Sequence, residues 1–221
     1  RPPPTPTHEC SSAASDVYER QDNNISGVIE SWELGSMAGQ AVAEVVFGDV
    51  NPGGKLPLTF PRSVGQLQMI YNHKPSQYFH KYAFEKVTPL YPFGHGLSYS
   101  KFNYSNFELS KDDNEDLINV SVEIKNDSNI AGDEVVQLYF NDSFSSVTRP
   151  VKELVSYERV FIEPGETKTV KLKVPIENLA FYDINMVYCV EEGEFEFMVG
   201  GSSDSKFHLK KSIKIENRYE F

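Results

Sequence analysis

Residues 116–124 read DLINVSVEI, in which Ile118, Val120, Val122 and Ile124 alternate with polar residues. Successive side chains of a β-strand point to opposite faces, so an apolar period of two marks a strand with one buried face and one solvated face. The segment therefore predicts a half-buried strand.

Segments of the same character follow at short intervals up to residue 215. They are residues 134–141, 153–162, 167–174, 186–190, 194–199 and 206–215. The stretches between them are rich in Gly, Pro and Asn, the residues that turns require. About seven short strands over about 100 residues are typical of an immunoglobulin-like or fibronectin-type β-sandwich.

Two stretches before the strands have helical periodicity. The apolar stripe of the first contains Ile25, Val28, Ile29 and Trp32. The stripe of the second contains Ala38, Ala41, Val42, Val45 and Val46. Gly35 separates them, Ser36 is a suitable N-cap for the second helix, and Gly48 is a suitable C-terminal glycine. Both helices are expected to pack against a sheet.

The segment NPGGKLPLTFP, residues 51–61, contains three prolines and two glycines. Proline lacks an amide donor and glycine weakens regular elements, so neither a helix nor a central strand is expected there. The residues that follow are aromatic and irregular, which predicts a connection that wraps over another surface. Its aromatic residues are Tyr71, Tyr78, Phe79, Tyr82, Phe84, Tyr91, Phe93, Tyr99 and Phe102.

Composition excludes several classes of protein. A formal net charge of −11, from 21 basic and 32 acidic residues, repels a phosphate backbone, so no nucleic-acid partner is expected. No stretch approaches the roughly 20 apolar residues of a membrane span, so no membrane partner is expected either. Cys10 and Cys189 are far apart and form neither a disulfide framework nor a metal-ligand pattern.

The residues themselves show no active site. The five histidines, His8, His73, His80, His95 and His208, lack metal-ligand spacing. There is no nucleophile elbow and no P-loop, and Gly94-His95-Gly96 lacks the third glycine of a dinucleotide fingerprint. Carboxylates are too numerous for spacing alone to select a catalytic pair. We therefore predict no catalytic, cofactor-binding or metal-binding residue and no cofactor.

Ordered motifs make the sequence more specific than its composition does. They are residues 41–61 (AVAEVVFGDVNPGGKLPLTFP), 71–76 (YNHKPS), 90–99 (LYPFGHGLSY), 131–139 (AGDEVVQLY), 149–154 (RPVKEL), 164–167 (PGET) and 193–195 (GEF). Together they closely resemble glycoside hydrolase family 3, which includes the β-glucosidases. The first three resemble its α/β sandwich domain, and the others resemble the fibronectin III-like domain that ends many members.

The resemblance implies a mixed fold, a remnant of the α/β sandwich domain followed by an all-β immunoglobulin or fibronectin III-like sandwich. The implied domains are residues 1–23, irregular and unmatched by the motifs, residues 24–102, the end of the α/β domain and its connection, and residues 103–221, the β-sandwich. The family's nucleophile and acid/base lie in an upstream barrel domain and an earlier part of the α/β domain, which are the implied partners.

The resemblance also implies a retaining mechanism, which needs two carboxyl groups about 5–5.5 Å apart. No catalytic residue transfers to this chain, and Glu44 is expected on a helix surface. The chain is therefore expected to be inactive without the upstream domains, and to contact carbohydrate only through them. The family further implies a periplasmic or secreted location.

The sequence is compatible with two other hypotheses. One is a free-standing carbohydrate-binding or adhesion module, which calls for a planar row of exposed aromatic residues on one sheet face. Five aromatic residues in alternating strands are instead expected in the core: Tyr139, Tyr157, Phe161, Phe195 and Phe197. The other is an inert product. In the connection, Tyr71, Tyr78 and Phe93 are expected to pack between domains, with stacking on sugars as the alternative.

Overall fold

The computed structural model describes residues 26–63, 66, 69–75, 86–112, 115–204, 206 and 208–221. The strands among them form three antiparallel sheets. No helix in these ranges has both the length and the apolar character that a membrane crossing requires.

Two sheets pack face to face as a sandwich, which confirms the predicted fold class. The first has the strand order β1-β2-β5 and the second β4-β3-β8-β9. These strands are β1 (Phe102–Asp112), β2 (Leu117–Asn126), β3 (Gly132–Asp142), β4 (Glu153–Ile162), β5 (Thr167–Pro175), β8 (Gly193–Gly200) and β9 (Leu209–Ile215). All neighbouring pairs are antiparallel.

The core lies between the two sheets and is formed by alternate residues of their strands. On β2 all four apolar residues that define the period, Ile118, Val120, Val122 and Ile124, are at most 2% exposed. The opposite sheet contributes Val136, Leu138, Phe195, Phe197 and Val199, also at most 1% exposed. Burial of this apolar area is the main favourable contribution to folding.

A small third sheet is formed by two strands between β5 and β8 in sequence and one strand after β9. Its order is β10-β7-β6, with β6 (Phe181–Tyr182), β7 (Tyr188–Val190) and β10 (Tyr219–Glu220). A short 3₁₀ helix, Ile176–Leu179, leads into it from β5. The C-terminal residues are therefore paired, since β10 pairs with β7 and the Phe221 amide donates to the Tyr188 carbonyl.

One α-helix is present in the described residues, α1 (Ala38–Phe47). It is followed by Gly48 at φ 83°, as predicted. The first predicted helix is wrong for the part that is described, because residues 26–35 have no helical turns and Trp32 lies at φ 48°. Ser36 is also not the N-cap, since that position is Met37 and no side chain caps the helix. Short helices gain most of their stability from packing. No residue of α1 is buried, so the described residues do not supply this packing.

The seven predicted strands are confirmed, although β7 and β9 begin later than predicted, at Tyr188 and Leu209. The strand β1 was not predicted. Its pairing with β2 shifts between Ser105 and Glu108, and Asn106 lies at φ 50°. This bulge places an extra residue in the strand and breaks the period of two on which strand prediction depends.

The aromatic residues expected in the core divide into two groups. Tyr139, Phe195 and Phe197 are at most 1% exposed, as predicted. The prediction is wrong for Tyr157 and Phe161 of β4, which are 68% and 48% exposed. These two residues lie on the outer face of the sheet, opposite to the core, so the period of two was correct but the face was not.

Candidate functional site: the joint between the connection and the sandwich

The described part of the connection, residues 51–63, 66, 69–75 and 86–101, contacts β3, mainly on the outer face of the β4-β3-β8-β9 sheet, and we call this contact the joint. Asn51 secures one end of it. Its side-chain amide donates to Ser100 Oγ at 2.8 Å and to the Ala131 carbonyl at 2.9 Å. Its carbonyl oxygen accepts from Ser98 Oγ and the Tyr99 amide, both at 2.8 Å. One side chain therefore links both ends of the connection to the start of β3.

Two glycines permit the close approach of the connection to β3. A Cβ added to Gly53 would lie 2.8 Å from Asp133 Cβ, well inside van der Waals contact. Gly94 has φ +78°, and a Cβ there would lie 2.1 Å from Gln137 Oε1. Gln137 is buried, and its amide donates to the carbonyls of Gly94 and Gly201 at 3.3 and 2.8 Å. Glycine at these two motif positions therefore serves docking rather than turning alone.

A buried ion pair crosses the joint. Lys55 Nζ lies 3.0 Å from Glu134 Oε2, with the two side chains 13% and 6% exposed. Lys55 Nζ also donates to the Gly96 carbonyl at 3.3 Å, and Tyr104 Oη donates to Glu134 Oε1 at 2.8 Å. Burial and the neighbouring Glu134 carboxylate hold the pKa of Tyr104 well above its usual value. Tyr104 therefore stays a neutral donor to the carboxylate.

An aromatic stack forms the middle of the joint. Tyr71 stacks on Phe93 with ring centroids 4.5 Å apart and meets Tyr139 of β3 edge to face at 5.8 Å. Tyr139 in turn stacks on His208 at 5.4 Å. The faces of Tyr71 and Phe93 are thus used against protein, which fits the expected packing role, whereas Tyr78 lies outside the described residues.

His208 is a polar group within this stack. Its Nε2 lies 2.6 Å from the Ser202 carbonyl, and its Nδ1 is buried with no hydrogen-bond partner in the part of the chain that the structure describes. Burial lowers the pKa of His208 below its usual value. The neutral ring therefore donates to Ser202 and presents an aromatic face to Tyr139.

An open cleft of about 630 Å³ lies beside the end of β3 and the loop 143–148. The polar groups that line it are largely paired with one another. Lys210 Nζ lies 2.9 Å from Glu196 Oε2, Asn141 Nδ2 donates to the Val151 carbonyl at 3.0 Å, and Lys152 Nζ donates to the Ser203 carbonyl. The cleft therefore has polar walls, and most of their polar groups are bonded within the protein.

Arg149, the first residue of the RPVKEL motif, occupies a buried position below this cleft. Its guanidinium donates to the Leu179 carbonyl at 2.7 Å and to Glu153 at 2.8 Å, and lies over the rings of Phe140 and Phe181. Asp142 Oδ2 is 3.6 Å away, too far for a good hydrogen bond, so burial outweighs the cation and raises the pKa of Asp142. Arg149 therefore joins the loop to the third sheet.

One group of potential metal ligands occurs among the described residues. Ligand atoms of Asp183, Cys189 and Glu191 lie within 4.8 Å of one another. Arg218 occupies this group, with Nη2 2.7 Å from Asp183 Oδ2 and Nη1 3.6 Å from Glu191 Oε1. Asp183 Oδ1 also accepts from the amides of Asn185 and Val187. The guanidinium takes the place that a cation would need.

Asp183 and Glu191 do not form the pair of catalytic carboxyl groups that a glycosidase needs. A general acid needs a raised pKa, whereas the hydrogen bond from Arg218 lowers the pKa of Asp183. Asp183 therefore does not offer the protonated carboxyl group that would assist a leaving alcohol. Elsewhere Glu44 accepts from Gln40 Nε2 at 2.6 Å on the surface of α1, as expected.

Four polar residues that build the joint were not singled out in the sequence, although they lie inside its motifs. Asn51 and Lys55 belong to the segment 51–61, and Glu134 and Gln137 to the segment 131–139. Their signal is the presence of polar side chains in segments that are otherwise apolar or turn-forming. The residues that pair are far apart in sequence: Asn51 and Ala131 are 80 residues apart, and Lys55 and Glu134 are 79 residues apart.

Two family profiles match the chain. The glycosyl hydrolase family 3 C-terminal domain matches residues 8–99, and the fibronectin type III-like domain matches residues 134–203. The first match begins inside the segment 1–23 that the motifs leave unmatched. The ion pair of Lys55 with Glu134 connects the two matched regions.

Relatives with related names match most of the chain. A putative β-xylosidase of Formosa agariphila is 41% identical over 213 residues, which are 92% of this chain and 27% of the relative. The periplasmic β-glucosidase of Salmonella typhimurium is 40% identical over 196 residues, 83% of this chain and 26% of the relative. The chain thus spans about a quarter of the length of these relatives.

Solved structures agree with this assignment. A β-glucosidase from Erythrobacter marinus superposes with a TM-score of 0.74 at 42% identity and covers 80% of this chain and 23% of its own. A β-glucosidase from Listeria innocua, in complex with glucose, has a TM-score of 0.75 at 35% identity, with 85% and 28% covered. The chain belongs to glycoside hydrolase family 3, of which it carries the C-terminal domain sequence and the fibronectin type III-like domain.

Proposed function

We propose that this chain is the supporting part of a β-glucosidase-like family 3 enzyme that hydrolyses O-glycosyl bonds, and that the reacting carboxyl groups lie in the upstream barrel and α/β domains. The joint is the observation that carries this proposal. It fixes residues of the family's C-terminal domain to the sandwich through the buried pair of Lys55 and Glu134, the hydrogen bond from Asn51 to the Ala131 carbonyl and the hydrogen bond from Gln137 to the Gly94 carbonyl.

The uncovered surface of α1 supports the same proposal. Val42, Val46 and Phe47 are 36%, 58% and 83% exposed, and no residue of the helix is buried. Apolar groups on adjacent turns of a short helix are favourable only when another surface covers them. In the proposed enzyme this surface is the sheet of the α/β domain, and the domains of this chain divide near residue 102.

The substrate class is taken from the relatives. Their names include β-glucosidase and β-xylosidase, so the proposed substrates are β-linked glucosides or xylosides that reach the chain only through the upstream domains. The proposed location is periplasmic or secreted, in keeping with the periplasmic relative from Salmonella typhimurium.

A second function, carbohydrate binding by the sandwich itself, has one observation in its favour. Tyr157 and Phe161 are exposed on one face of β4, where an aromatic platform for sugar rings would lie. The other aromatic residues considered for such a row, Tyr139, Phe195 and Phe197, are buried. Two side chains on one edge strand are a small platform, so we rank this function second.

The test is the release of chromophore from aryl β-D-glucosides and β-D-xylosides. The purified chain is expected to give no turnover. A chimera, in which the chain replaces the matching portion of the Salmonella typhimurium periplasmic β-glucosidase, is expected to restore it. Turnover by the chain alone would place the active site in these residues, and a folded but inactive chimera would contradict the supporting role.

A further inference from the structure

The exposed aromatic residues of β4 lie on the same face of the sheet as the joint. Tyr157 is the cross-strand partner of Gln137, and Phe161 is the partner of Asp133. Directly opposed residues of an antiparallel pair project to the same face. Gln137 contacts Gly94 of the connection, and Asp133 lies under Gly53. The outer face of this sheet is therefore covered over β3 and left open over β4.

The open part forms a strip of defined chemistry. It consists of Tyr157, Arg159 and Phe161, and we call it the β4 strip. Arg159 is fixed in place by an ion pair of 2.8 Å with Asp133. Tyr157 and Phe161 are 68% and 48% exposed. Aromatic residues and arginine are the types that are enriched at protein interfaces, and they carry much of the binding energy there.

The position of the strip relates it to α1. Phe47 ends α1, and Gly53 lies against Asp133, the partner of Phe161. Six residues span at most about 22 Å when fully extended, and neighbouring strands lie about 5 Å apart, so the end of α1 lies within roughly 27 Å of the strip. A domain of about 100 residues has a radius of gyration of about 13 Å. A single domain that covers α1 can therefore reach the strip as well.

From this geometry we infer that the β4 strip is a contact surface for the same upstream domain that covers α1, so that the preceding part of the enzyme rests on the sandwich directly as well as through the joint. This inference rests on the proposed function. It is favoured because the strip is continuous with the joint, and because the relatives have about three quarters of their length beyond the matched portion.

Photo-crosslinking in the chimera tests the inference. Tyr157 and Phe161 are replaced singly by p-benzoylphenylalanine, and the crosslinked peptides are mapped by mass spectrometry. The expected result is crosslinking to peptides of the preceding domains from both positions. Lys171→p-benzoylphenylalanine is the matched control, because Lys171 is exposed on β5 of the opposite sheet and is expected to give no such peptides.

Two other occupants would overturn the inference. Crosslinks from position 157 or 161 to a second copy of the chain, with none to the preceding domains, would assign the strip to self-association. Protection from crosslinking by soluble cello-oligosaccharides would assign it to sugar binding. A chimera without turnover that still crosslinks would reject the proposed catalytic context but keep the contact, so the two failures are distinguishable.

A double variant gives a second readout. Tyr157→Ser with Phe161→Ser is expected to leave the unfolding midpoint of the isolated chain unchanged, because both side chains are exposed there. In the chimera the same changes are expected to lower the midpoint and to increase hydrogen exchange along β4. Equal effects in the chain and the chimera would overturn the inference.

Discussion

Lys55 and Glu134 form an ion pair of 3.0 Å between two parts of the chain that belong to different domains of the family. The pair is shielded from solvent on both sides, and a tyrosine hydroxyl completes the hydrogen bonding of the carboxylate. Its location makes it a sensitive probe of whether the joint is formed.

Replacing the lysine alone should be costly. Lys55→Met leaves Glu134 buried without its cation, and the loss of one partner of a buried pair costs about 3–5 kcal/mol of the free energy of unfolding. Chemical denaturation of the chain at neutral pH measures this loss. Lys125→Met is the control, because Lys125 pairs with Asp127 at 2.7 Å but is 53% exposed, and such pairs contribute about 0–1 kcal/mol. Equal effects of the two changes would show that the joint is open in solution.

Two glycines with similar φ angles allow the cost of close packing to be measured separately from the cost of a strained backbone. Gly94 has φ +78° and lies against Gln137, whereas Gly165 has φ +73° with open space around it. Gly165→Ala should cost about 1–2 kcal/mol from the left-handed backbone alone. Gly94→Ala should cost more, because Gln137 must also move and its hydrogen bonds must break. Urea unfolding compares the two, and equal losses would contradict the close packing at Gly94.

Acid stability should depend on Asp183. The hydrogen bond from Arg218 holds the pKa of this carboxyl below its usual value. A lowered pKa in the folded state contributes stability above the unfolded pKa of about 3.9, and the contribution is lost as the pH falls through the folded pKa.

The variant that tests this contribution is Asp183→Asn. It should lower the free energy of unfolding at pH 7 and approach the parent protein at pH 3. Urea unfolding at several pH values measures the difference. Glu220→Gln is the control at the more exposed partner of Arg218, and it should have little effect at either pH. A difference between Asp183→Asn and the parent that is constant with pH would refute the prediction.

The thiol of Cys189 should be unreactive in the folded chain. It is fully buried in β7, and burial raises the pKa of the thiol, which leaves little of the nucleophilic thiolate. Labelling with iodoacetamide, followed by mass spectrometry of the Cys189 peptide, should be slow in buffer and fast in denaturant. Fast labelling of this peptide in buffer would show that the third sheet opens readily.

The sandwich could be predicted because its strands obey a simple rule. Residues such as Ile118 and Val120 alternate with polar neighbours, and turn residues separate the strands, so local sequence contains the information. The strand β1 was missed because its bulge near Asn106 breaks the alternation. The face of Tyr157 and Phe161 was misassigned because the period alone does not say which face is covered.

The joint was less predictable than the fold. Each of its contacts joins residues far apart in sequence, and the partner of Asn51 or Lys55 depends on how the connection lies on the sandwich. The aromatic residues after position 61 predicted a connection that wraps over another surface, but not that Glu134 or Gln137 receives it. Long-range pairing of this kind is set by the folded topology and leaves little trace in local periodicity.

The bridge between Phe60 and Tyr91 has a consequence for how this protein family can vary. The Phe60 amide donates to the Tyr91 carbonyl at 2.9 Å, and the Leu90 amide donates to the Phe60 carbonyl at 2.8 Å. The bridge closes residues 61–90 into a loop whose two ends are held beside each other. The entropy of closing a flexible loop grows only with the logarithm of its length, about 0.6 kcal/mol for each doubling. Tyr71 belongs to this loop and packs on Phe93 in the joint. An insertion that leaves this contact in place should therefore add only a small entropic cost, while Phe60 and Tyr91 keep the two ends side by side.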